Sequence, residues 1–342
     1  MPADPDIREF EELTEVADLR RQLGDAQVRL RRAKAKTTDL VEAVRQGAKD
    51  AAVLLGNPPA VAPPKADRRT RGMEVALLHL SDWQVGKVTE SFNQQVAGRR
   101  VDALTAKVVR LTEIERADHP VKEVHVLWGG DMVEGLSIFP GQAFEVDAGL
   151  FGQMFAAVGA GERLLRGLLA NFDRVVCWQE YGNHGRLGRK GDVPKVDNAD
   201  LLVYELIREK LPDNRIVWNP PQSWYSIVEI GSYHALLVHG DEIKSLGAQT
   251  PAFGITKKVN AWATGVVPPF TDCYMGHWHQ PLVLPVAHGK GRTFVNPSLE
   301  SDNVYAQEFV GANGAPGQRL NFIDPEGGRV TTERVIWLDH VA

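Results

Sequence analysis

The sequence has few cysteines and no long apolar run, and these two absences exclude several classes of protein. Only Cys177 and Cys273 occur among the 342 residues, each inside an apolar stretch. Two isolated cysteines cannot form the disulfide framework of a small secreted domain, so a reducing compartment and a cytoplasmic location are expected. No apolar run is long enough to span a bilayer, and the start of the chain is acidic and polar. We therefore expect neither a membrane span nor a signal peptide.

An excess of one sign of charge is also lacking. The chain has 39 Lys and Arg against 44 Asp and Glu, which gives a formal net charge of −5. A nucleic-acid partner would therefore have to be held by a local patch, because there is no global basic surface. Apolar residues make up 43% and charged residues 24% of the chain, as in a soluble globular protein with a sizeable core.

Residues 1–56 differ from the rest because their apolar residues follow a heptad repeat. With Val16 at the first core position, most of the core positions are Val, Leu or Ala, and the pattern weakens at Thr37 and Gly47. This pattern predicts a long N-terminal helix with a narrow apolar seam. Three explanations stay open: packing on the rest of the chain, self-association through a coiled coil, and a disordered arm. Self-association would make the protein a homo-oligomer.

Residues 57–72 are predicted to be a linker that precedes a domain over 73–342. The segment has four prolines, followed by the basic residues Lys65, Arg68, Arg69 and Arg71. A proline-rich stretch of this kind is extended and semi-rigid. A second basic run occupies 29–36. Such runs are usually solvated faces, and contact with a phosphate backbone is the alternative.

From residue 73 onward, apolar strand-like runs alternate with helical patterns, which is typical of an α/β fold. Strands are predicted at 75–80, 123–128 and 174–178 and around 216, 225 and 234, helices at 98–117, 149–171 and 198–211, and a final hairpin that turns at 324–328.

Five polar loops follow these apolar runs and carry side chains that commonly bind metals. They are Asp82-Trp83-Gln84, Gly130-Asp131, Gly182-Asn183-His184, His239-Gly240-Asp241 and Gly276-His277-Trp278-His279. Each loop alone is a weak signal, since such short motifs are more often turns. Five in succession, each at the end of a predicted strand, indicate one metal site.

The order of the five motifs resembles the calcineurin-like metallophosphoesterase family, whose signature is Asp-x-His, Gly-Asp, Gly-Asn-His, His and Gly-His-x-His. The resemblance covers roughly residues 77–299 and departs at Gln84, where the family has histidine. Within the family, the runs Leu-His-Leu-Ser-Asp-Trp at 78–83 and Val-Asn-Pro-Ser-Leu at 295–299 are most similar to the nuclease subunit of SbcCD-type exonucleases and to phage-encoded relatives.

The resemblance implies a two-sheet β-sandwich flanked by helices and a pair of divalent metal ions. The first ion would be bound by Asp82, Gln84 and His279, and the second by Asn183, His239 and His277, with Asp131 bridging the two. A ligand set of carboxylate, imidazole and amide oxygen without thiolate favours Mn, with Fe and Zn as alternatives. In this family the two metals activate a hydroxide that attacks phosphorus.

Two further residues would act on the substrate. The resemblance implies that His184 faces the leaving group as a general acid or charge stabiliser. An acidic residue that orients this histidine follows it in many relatives, but Gly185 stands here, so the orienting group is unassigned. Arg186 is expected either to bind a substrate phosphate or to form a surface ion pair. Gln84 is expected to be a weaker ligand than histidine.

The sequence therefore predicts a metal-dependent phosphoesterase that hydrolyses phosphodiester bonds. The expected activity is that of a DNA or RNA nuclease, and the resemblance implies an ATPase-type partner subunit. The alternatives are a phosphatase or cyclic-nucleotide phosphodiesterase, and a catalytically silent scaffold subunit.

Overall fold

The computed structural model describes residues 59–341 except 137, 140, 189, 191–192, 244–250, 287–288 and 303–313. Of residues 1–58 it describes only short helical pieces between 21 and 47. The long helix and coiled coil predicted over 1–56 therefore lie outside the described residues.

The larger sheet has six strands in the order β11-β10-β1-β2-β3-β4. Its strands are β1 (Glu74–Leu80), β2 (Val121–Gly129), β3 (Arg174–Glu180), β4 (Ile216–Asn219), β10 (Gly317–Asp324) and β11 (Arg329–Trp337). Strands β1 to β4 are parallel, and β10 is antiparallel to both β1 and β11.

The smaller sheet has five strands in the order β5-β6-β7-β9-β8. They are β5 (Ser226–Ile230), β6 (Tyr233–Leu237), β7 (Asp272–Met275), β8 (Val283–Pro285) and β9 (Arg292–Val295). Its three central strands β6, β7 and β9 are parallel, and the two edge strands run antiparallel to their neighbours.

The described helices of the domain are α1 (Gln94–Glu115), α2 (Leu150–Leu169), α3 (Ala199–Lys210) and α4 (Pro251–Ala261), with a short 3-10 turn at Gln142–Phe144 and a π-helical turn at Trp262–Val266 after α4. Helices α1 to α3 cover one face of the larger sheet, and α4 covers the outer face of the smaller one. A third apolar cluster lies between the two sheets. The predicted α/β architecture of two sheets with flanking helices is confirmed.

The apolar run of β1 follows from its position between two layers. Leu78 belongs to the core under the helices, whereas the adjacent Leu77 belongs to the core between the sheets. Because successive side chains of a strand point to opposite faces, a strand buried on both faces reads as a continuous apolar run. Both cysteines are buried in such strands.

The parallel strands bring their carboxyl ends to the same edge of each sheet. In the larger sheet the parallel strands include β1, β2 and β3, and in the smaller sheet they are β6, β7 and β9. Loops that follow parallel strands therefore meet at one end of the molecule, which is where open α/β sheets bind ligands.

Residues 59–73 have no regular secondary structure and lie against the helical side of the domain. The guanidinium of Arg166 donates to the carbonyl of Pro59 at 3.0 Å, and that of Arg215 donates to the carbonyl of Val61 at 2.8 Å. Lys122 donates to the carbonyl of Arg69 at 2.7 Å. The segment therefore reaches β1 along the surface of the domain.

None of the described helices is long and apolar enough to cross a membrane.

Glu180, at the end of β3, gives a testable dependence of stability on pH. Its carboxyl group is buried and accepts a hydrogen bond from Ser226 Oγ at 2.7 Å. Burial raises the pKa of Glu180 to about 8. The folded state thus keeps a proton that the unfolded chain releases near pH 4.5. The stability from the neutral carboxyl group is fully present below that pH and is lost as the pH rises through about 8.

We predict that Glu180→Gln raises the melting temperature relative to wild type at pH 8.5 and changes it much less at pH 5. The corresponding gain in the free energy of unfolding at pH 8.5 should be on the order of 1–3 kcal/mol. One unit of pKa shift is about 1.4 kcal/mol, and relaxation of the folded protein around the charged group reduces the total. Thermal unfolding across this pH range measures the difference. Glu229→Gln, at an exposed position of β5, is the control. A Glu180→Gln effect that does not change with pH would contradict the prediction.

Candidate metal centre

The side chains predicted to bind metal all follow strands at the shared edge of the two sheets. Asp82 and Gln84 follow β1, Asp131 follows β2, Asn183 and His184 follow β3, His239 follows β6, and His277 and His279 follow β7. Adjacent strands of each sheet thus supply adjacent groups.

The loops after β1 and β2 are joined by backbone hydrogen bonds that continue the sheet. The N–H of Asp82 donates to the carbonyl of Gly130 at 3.0 Å, and the N–H of Gln84 donates to the carbonyl of Asp131 at 3.1 Å. These bonds fix the relative positions of the two aspartates, so the geometry does not depend on flexible loops.

Asp200, in the first turn of α3, anchors the loops after β2 and β3. Its carboxylate accepts backbone N–H bonds from Asp131 at 2.8 Å, Met132 at 3.0 Å and Gly182 at 2.9 Å. Asn198 caps the same helix by accepting from the N–H of Asp200 at 2.8 Å. Burial and the nearby charge of Asp131 raise the pKa of Asp200 to about 6.

The backbone is left-handed at most of the predicted ligands. Within the described part of the chain, six residues other than glycine have positive φ: Asp82, Gln84, Asp131, His277, His279 and Asp302. Five of the six are predicted metal ligands. Such conformations cost of order 1–3 kcal/mol each and persist mainly where a functional site requires them.

Two glycines are needed because the chain passes directly beside the aspartates. A Cβ atom on Gly182 would overlap Asp131 Oδ1, and a Cβ atom on Gly276 would overlap Asp82 Oδ2. Neither position can hold a side chain without displacing a carboxylate. This close approach explains the glycines in the Gly-Asn-His and Gly-His-x-His motifs.

Four of the predicted ligands form one cluster. Ligand atoms of Asp131, His239 and His277 lie within 4.8 Å of one another, and His239 Nε2 is 3.2 Å from Asn183 Oδ1. The Nδ1 atom of His239 lies 2.8 Å from the carbonyl of Gly129. Because a carbonyl only accepts, Nδ1 carries the proton, and Nε2 is the nitrogen available to a metal. Burial lowers the pKa of His277 to about 4, so that its ring is neutral.

The oxygens in this cluster fit a cation. His239 Nε2 also lies 3.0 Å from Asp131 Oδ2. That contact lacks hydrogen-bond geometry, and Asp131 Oδ2 has no hydrogen-bond partner among the described residues. A nitrogen that faces two acceptor oxygens requires either an additional proton or a metal ion between them. The donor set therefore fits a divalent metal.

The second group of ligands surrounds Asp82. His279 Nε2 lies 3.4 Å from Asp82 Oδ1, and its Nδ1 lies 2.7 Å from Glu300 Oε1. The N–H of His277 donates to both oxygens of Asp82 at 3.0 and 3.1 Å. A carboxylate on the remote nitrogen of a histidine is the usual way of orienting a metal ligand.

Gln84 is buried in the loop after β1, and its N–H donates to the carbonyl of Asp131. Its side chain is 1% exposed, and neither its Oε1 nor its Nε2 atom has a hydrogen-bond partner among the described residues. A buried primary amide without partners costs roughly 1–3 kcal/mol. A cation bound by Oε1 would remove part of this cost.

His184 is held by the loop after β2. Its Nδ1 atom lies 2.8 Å from the carbonyl oxygen of Glu134 and 3.3 Å from Glu134 Oε2. The amide of Gln142 donates to Glu134 Oε1 at 2.9 Å, and Lys87 Nζ lies 3.6 Å from the same oxygen. Glu134 is thus the orienting group that the sequence left unassigned. It stands after Asp131 and not directly after His184.

The protonation of His184 suits a proton donor. Burial alone lowers the pKa of His184, but the carboxylates of Asp131 and Glu134 outweigh it and raise the pKa to about 9. The N–H of His184 also donates to Asp131 Oδ1 at 2.7 Å. The ring is therefore cationic at neutral pH when no metal is bound to Asp131.

The guanidinium of Arg186 is paired with a carboxylate and is therefore not an open binding site for an anion. Its Nη2 lies 3.5 Å from Asp241 Oδ2, and both side chains are mostly buried, at 13% and 15% exposure. The pair is therefore not the surface ion pair that the sequence offered as an alternative. Binding of a substrate phosphate by Arg186 would have to compete with Asp241.

Three supporting carboxylates were missed or left undecided by sequence reasoning. Asp200 follows a helix cap, Glu300 follows the Asn-Pro-Ser-Leu run, and Glu134 lies within the Gly-Asp loop. The one available signal was position, because all three lie within a few residues of a strand end or a helix start at the same edge. Their partners could not be inferred, since these contacts join residues far apart in sequence.

No protein-family model matches the sequence, and no curated protein matches it either. Among solved structures, the chain is similar to Vps29 of Entamoeba histolytica in complex with Zn²⁺, at 12% identity over 77% of this chain and 99% of that one, with a TM-score of 0.33. A conserved uncharacterized protein of Streptococcus pneumoniae, described as a predicted phosphoesterase, matches at 13% identity over 77% and 98%, with a TM-score of 0.32. The sulfate thiohydrolase SoxB of Thermus thermophilus matches at 16% identity over 80% and 58%, with a TM-score of 0.33. Likeness at this level assigns neither a fold family nor a function.

We predict that Gln84→His lowers the Mn²⁺ concentration for half-maximal phosphodiesterase activity about tenfold, or about 1.4 kcal/mol, because imidazole is a stronger donor than an amide oxygen. Gln84→Ala should raise that concentration. Activity titrated against Mn²⁺ for the three proteins gives the comparison. Gln95→His, at an exposed position of α1, controls for an added histidine. Superimposable curves would mean that Gln84 does not contact the metal.

A separate prediction concerns His184 and Glu134. His184→Ala should keep its metal content and lose about 10²–10⁴-fold in rate, as expected for a general acid. Glu134→Gln removes a charge that raises the pKa of His184, so the ring should deprotonate at lower pH. The alkaline limb of the pH–rate profile should therefore move to lower pH.

Elemental analysis and pH–rate profiles are measured for both single variants and for the double variant. Together they distinguish a role of Glu134 in orienting His184 from a role of either residue in metal binding. If Glu134 acts only through His184, the double variant should be no slower than His184→Ala. Loss of metal in His184→Ala would instead identify this histidine as a ligand.

Proposed function

We propose that the chain is a calcineurin-like metallophosphoesterase that hydrolyses phosphodiester bonds and that its substrate is a nucleic acid. The observation that carries the proposal is the convergence of seven donor side chains from five strand-end loops, with strained backbone at five of them. A set of satisfied structural residues would not require this strain.

The proposed centre holds two divalent cations. Asp82, Gln84 and His279 would bind the first, Asn183, His239 and His277 the second, with Asp131 bridging them. Carboxylate, imidazole and amide oxygen suit Mn, and also Fe or Zn. Such ions lower the pKa of water and neutralise charge on phosphate oxygens.

The protein's own groups would handle the leaving group. Nδ1 of His184 is bonded to the carbonyl of Glu134, so Nε2 is the atom available to substrate. With its raised pKa, the ring can donate a proton to the departing oxygen and regain it from solvent. Glu134 keeps the charged ring in one orientation.

Exposed aromatic side chains on the segment that follows the loop after β2 favour a nucleic acid over a small phosphate ester. Phe144 is 93% exposed and lies two residues from Gln142, whose Nε2 is 3.3 Å from His184 Nδ1. Phe151 and Phe155, on the first turns of α2, are 45% and 57% exposed. Bases stack on such rings with about 1–3 kcal/mol each. The ATPase-type partner and the homo-oligomer through residues 1–56 stay predictions.

The test compares purified wild type and Asp131→Asn with Mn²⁺ on single-stranded DNA, duplex DNA, an aryl phosphodiester and an aryl phosphomonoester. Wild type should cleave DNA and the diester, and Asp131→Asn should lose both metal and activity because it lacks the bridging charge. Asp102→Asn, in an exposed ion pair of α1, should behave as wild type.

The other outcomes identify the competing functions. Cleavage of the monoester alone would indicate a phosphatase. Full metal content without hydrolysis of any substrate would indicate a silent scaffold. Wild-type turnover by Asp131→Asn would mean that the assigned centre is wrong.

A further inference from the structure

A second group of metal-binding side chains lies at the other end of β1. It consists of Glu74, the first residue of β1, Glu115, the last residue of α1, and His119 in the turn that follows. One ligand atom from each lies within 4.8 Å of the others. Glu74 and Asp82 are eight positions apart on mostly extended chain, which is about 25 Å at the rise of a strand. The group is therefore separate from the candidate metal centre.

The two glutamates bring two acidic groups together, and one of them is buried. Glu74 is 5% exposed, and its Oε2 atom has no hydrogen-bond partner among the described residues. Burial, together with the charge and the hydrogen bond of Glu74, raises the pKa of Glu115. Two carboxylates in contact must share either a proton or a cation.

His119 is oriented as a metal ligand. Its Nδ1 atom lies 3.0 Å from the carbonyl of Gly72. A carbonyl only accepts, so Nδ1 carries the proton and Nε2 presents its lone pair. The competing partner of Nε2 is Asp118 Oδ2 at 3.3 Å, on a side chain that is 88% exposed. The His119 side chain is itself 37% exposed, which leaves a path by which an ion can enter.

We propose that Glu74, Glu115 and His119 bind a divalent cation of the zinc or manganese type. Imidazole and carboxylate are both ligand types that these ions accept, and a fourth position would stay open to water. Arg334 is close enough to lower the pKa of Glu115. Its guanidinium would repel a bound cation, so the two carboxylates must outweigh that repulsion.

The position of the site indicates a structural role. His119 bonds the carbonyl of Gly72, and the N–H of Glu74 donates to the carbonyl of Pro120 at 3.1 Å. An ion bound here would join the end of α1 to the start of β1, where residues 59–73 enter the sheet. The cation would therefore stabilise the attachment of this segment without taking part in hydrolysis.

The experiment uses the full chain, stripped with chelator and then equilibrated with Zn²⁺. Glu115→Gln and His119→Gln should each bind one equivalent less than wild type by elemental analysis. Both should show a smaller rise in melting temperature when Zn²⁺ is added. Asp118→Asn removes the neighbouring exposed carboxylate and should bind as wild type. Asp131→Asn should lose ions from the metal centre yet keep the equivalent at Glu115.

Hydrolysis of an aryl phosphodiester provides an independent readout. It should be unchanged in Glu115→Gln and His119→Gln, since neither residue lies near the metal centre. The proposal is overturned if both variants bind as much Zn²⁺ as wild type with the same rise in melting temperature. The two glutamates would then share a proton. It is also overturned if the equivalent disappears in Asp131→Asn and persists in Glu115→Gln.

Discussion

The buried carboxylate of Asp131 is the group on which the rest of the centre depends. It is 1% exposed, and it contacts the backbone of His184 through one oxygen and the ring of His239 through the other. Burial alone would raise the pKa of Asp131, but His239 and His184 hold it below its usual value. An ionised carboxylate at this depth requires positive charge close by. The loops after β3 and β6 supply that charge through His184 and His239.

Local signals in the sequence were sufficient to predict the alternation of strands and helices, whereas the two-sheet arrangement was predicted from the family resemblance. The apolar run of β1 reflects burial on both faces, and each polar loop marks the end of a strand. The supporting contacts are different in kind. Asp200 bonds the backbone of Asp131 across 69 residues, and Gln318 bonds the N–H of Ser81 across 237. No local pattern specifies which distant group completes such a bond, so Asp200, Glu134 and Glu300 could not be assigned roles from the sequence.

The left-handed backbone of Gln84 is evidence about the loop that the chemistry of its side chain alone does not give. Asp and His tolerate left-handed backbone better than most residues, whereas Gln84, at a φ of 49°, has no such advantage. The loop therefore holds Gln84 in the same left-handed backbone as Asp82 and Asp131. In the proposed centre, an amide oxygen at this position would carry the same formal charge as a neutral imidazole and would differ from it in donor strength. A weaker first site is consistent with both the left-handed backbone and the buried amide without partners.

In the proposed centre, protons and metal ions would compete for the same groups. Burial alone would lower the pKa values of His239 and His279, yet Asp131 holds the pKa of His239 well above its usual range, and Asp82 and Glu300 do the same for His279. Without metal, therefore, these two imidazolium rings provide the positive charge that the buried aspartates need. A metal must displace their protons before it can bind, so its apparent affinity rises with pH. Glu300 acts in both states, because it stabilises the cationic ring of His279 when metal is absent and orients the neutral ring when metal is bound.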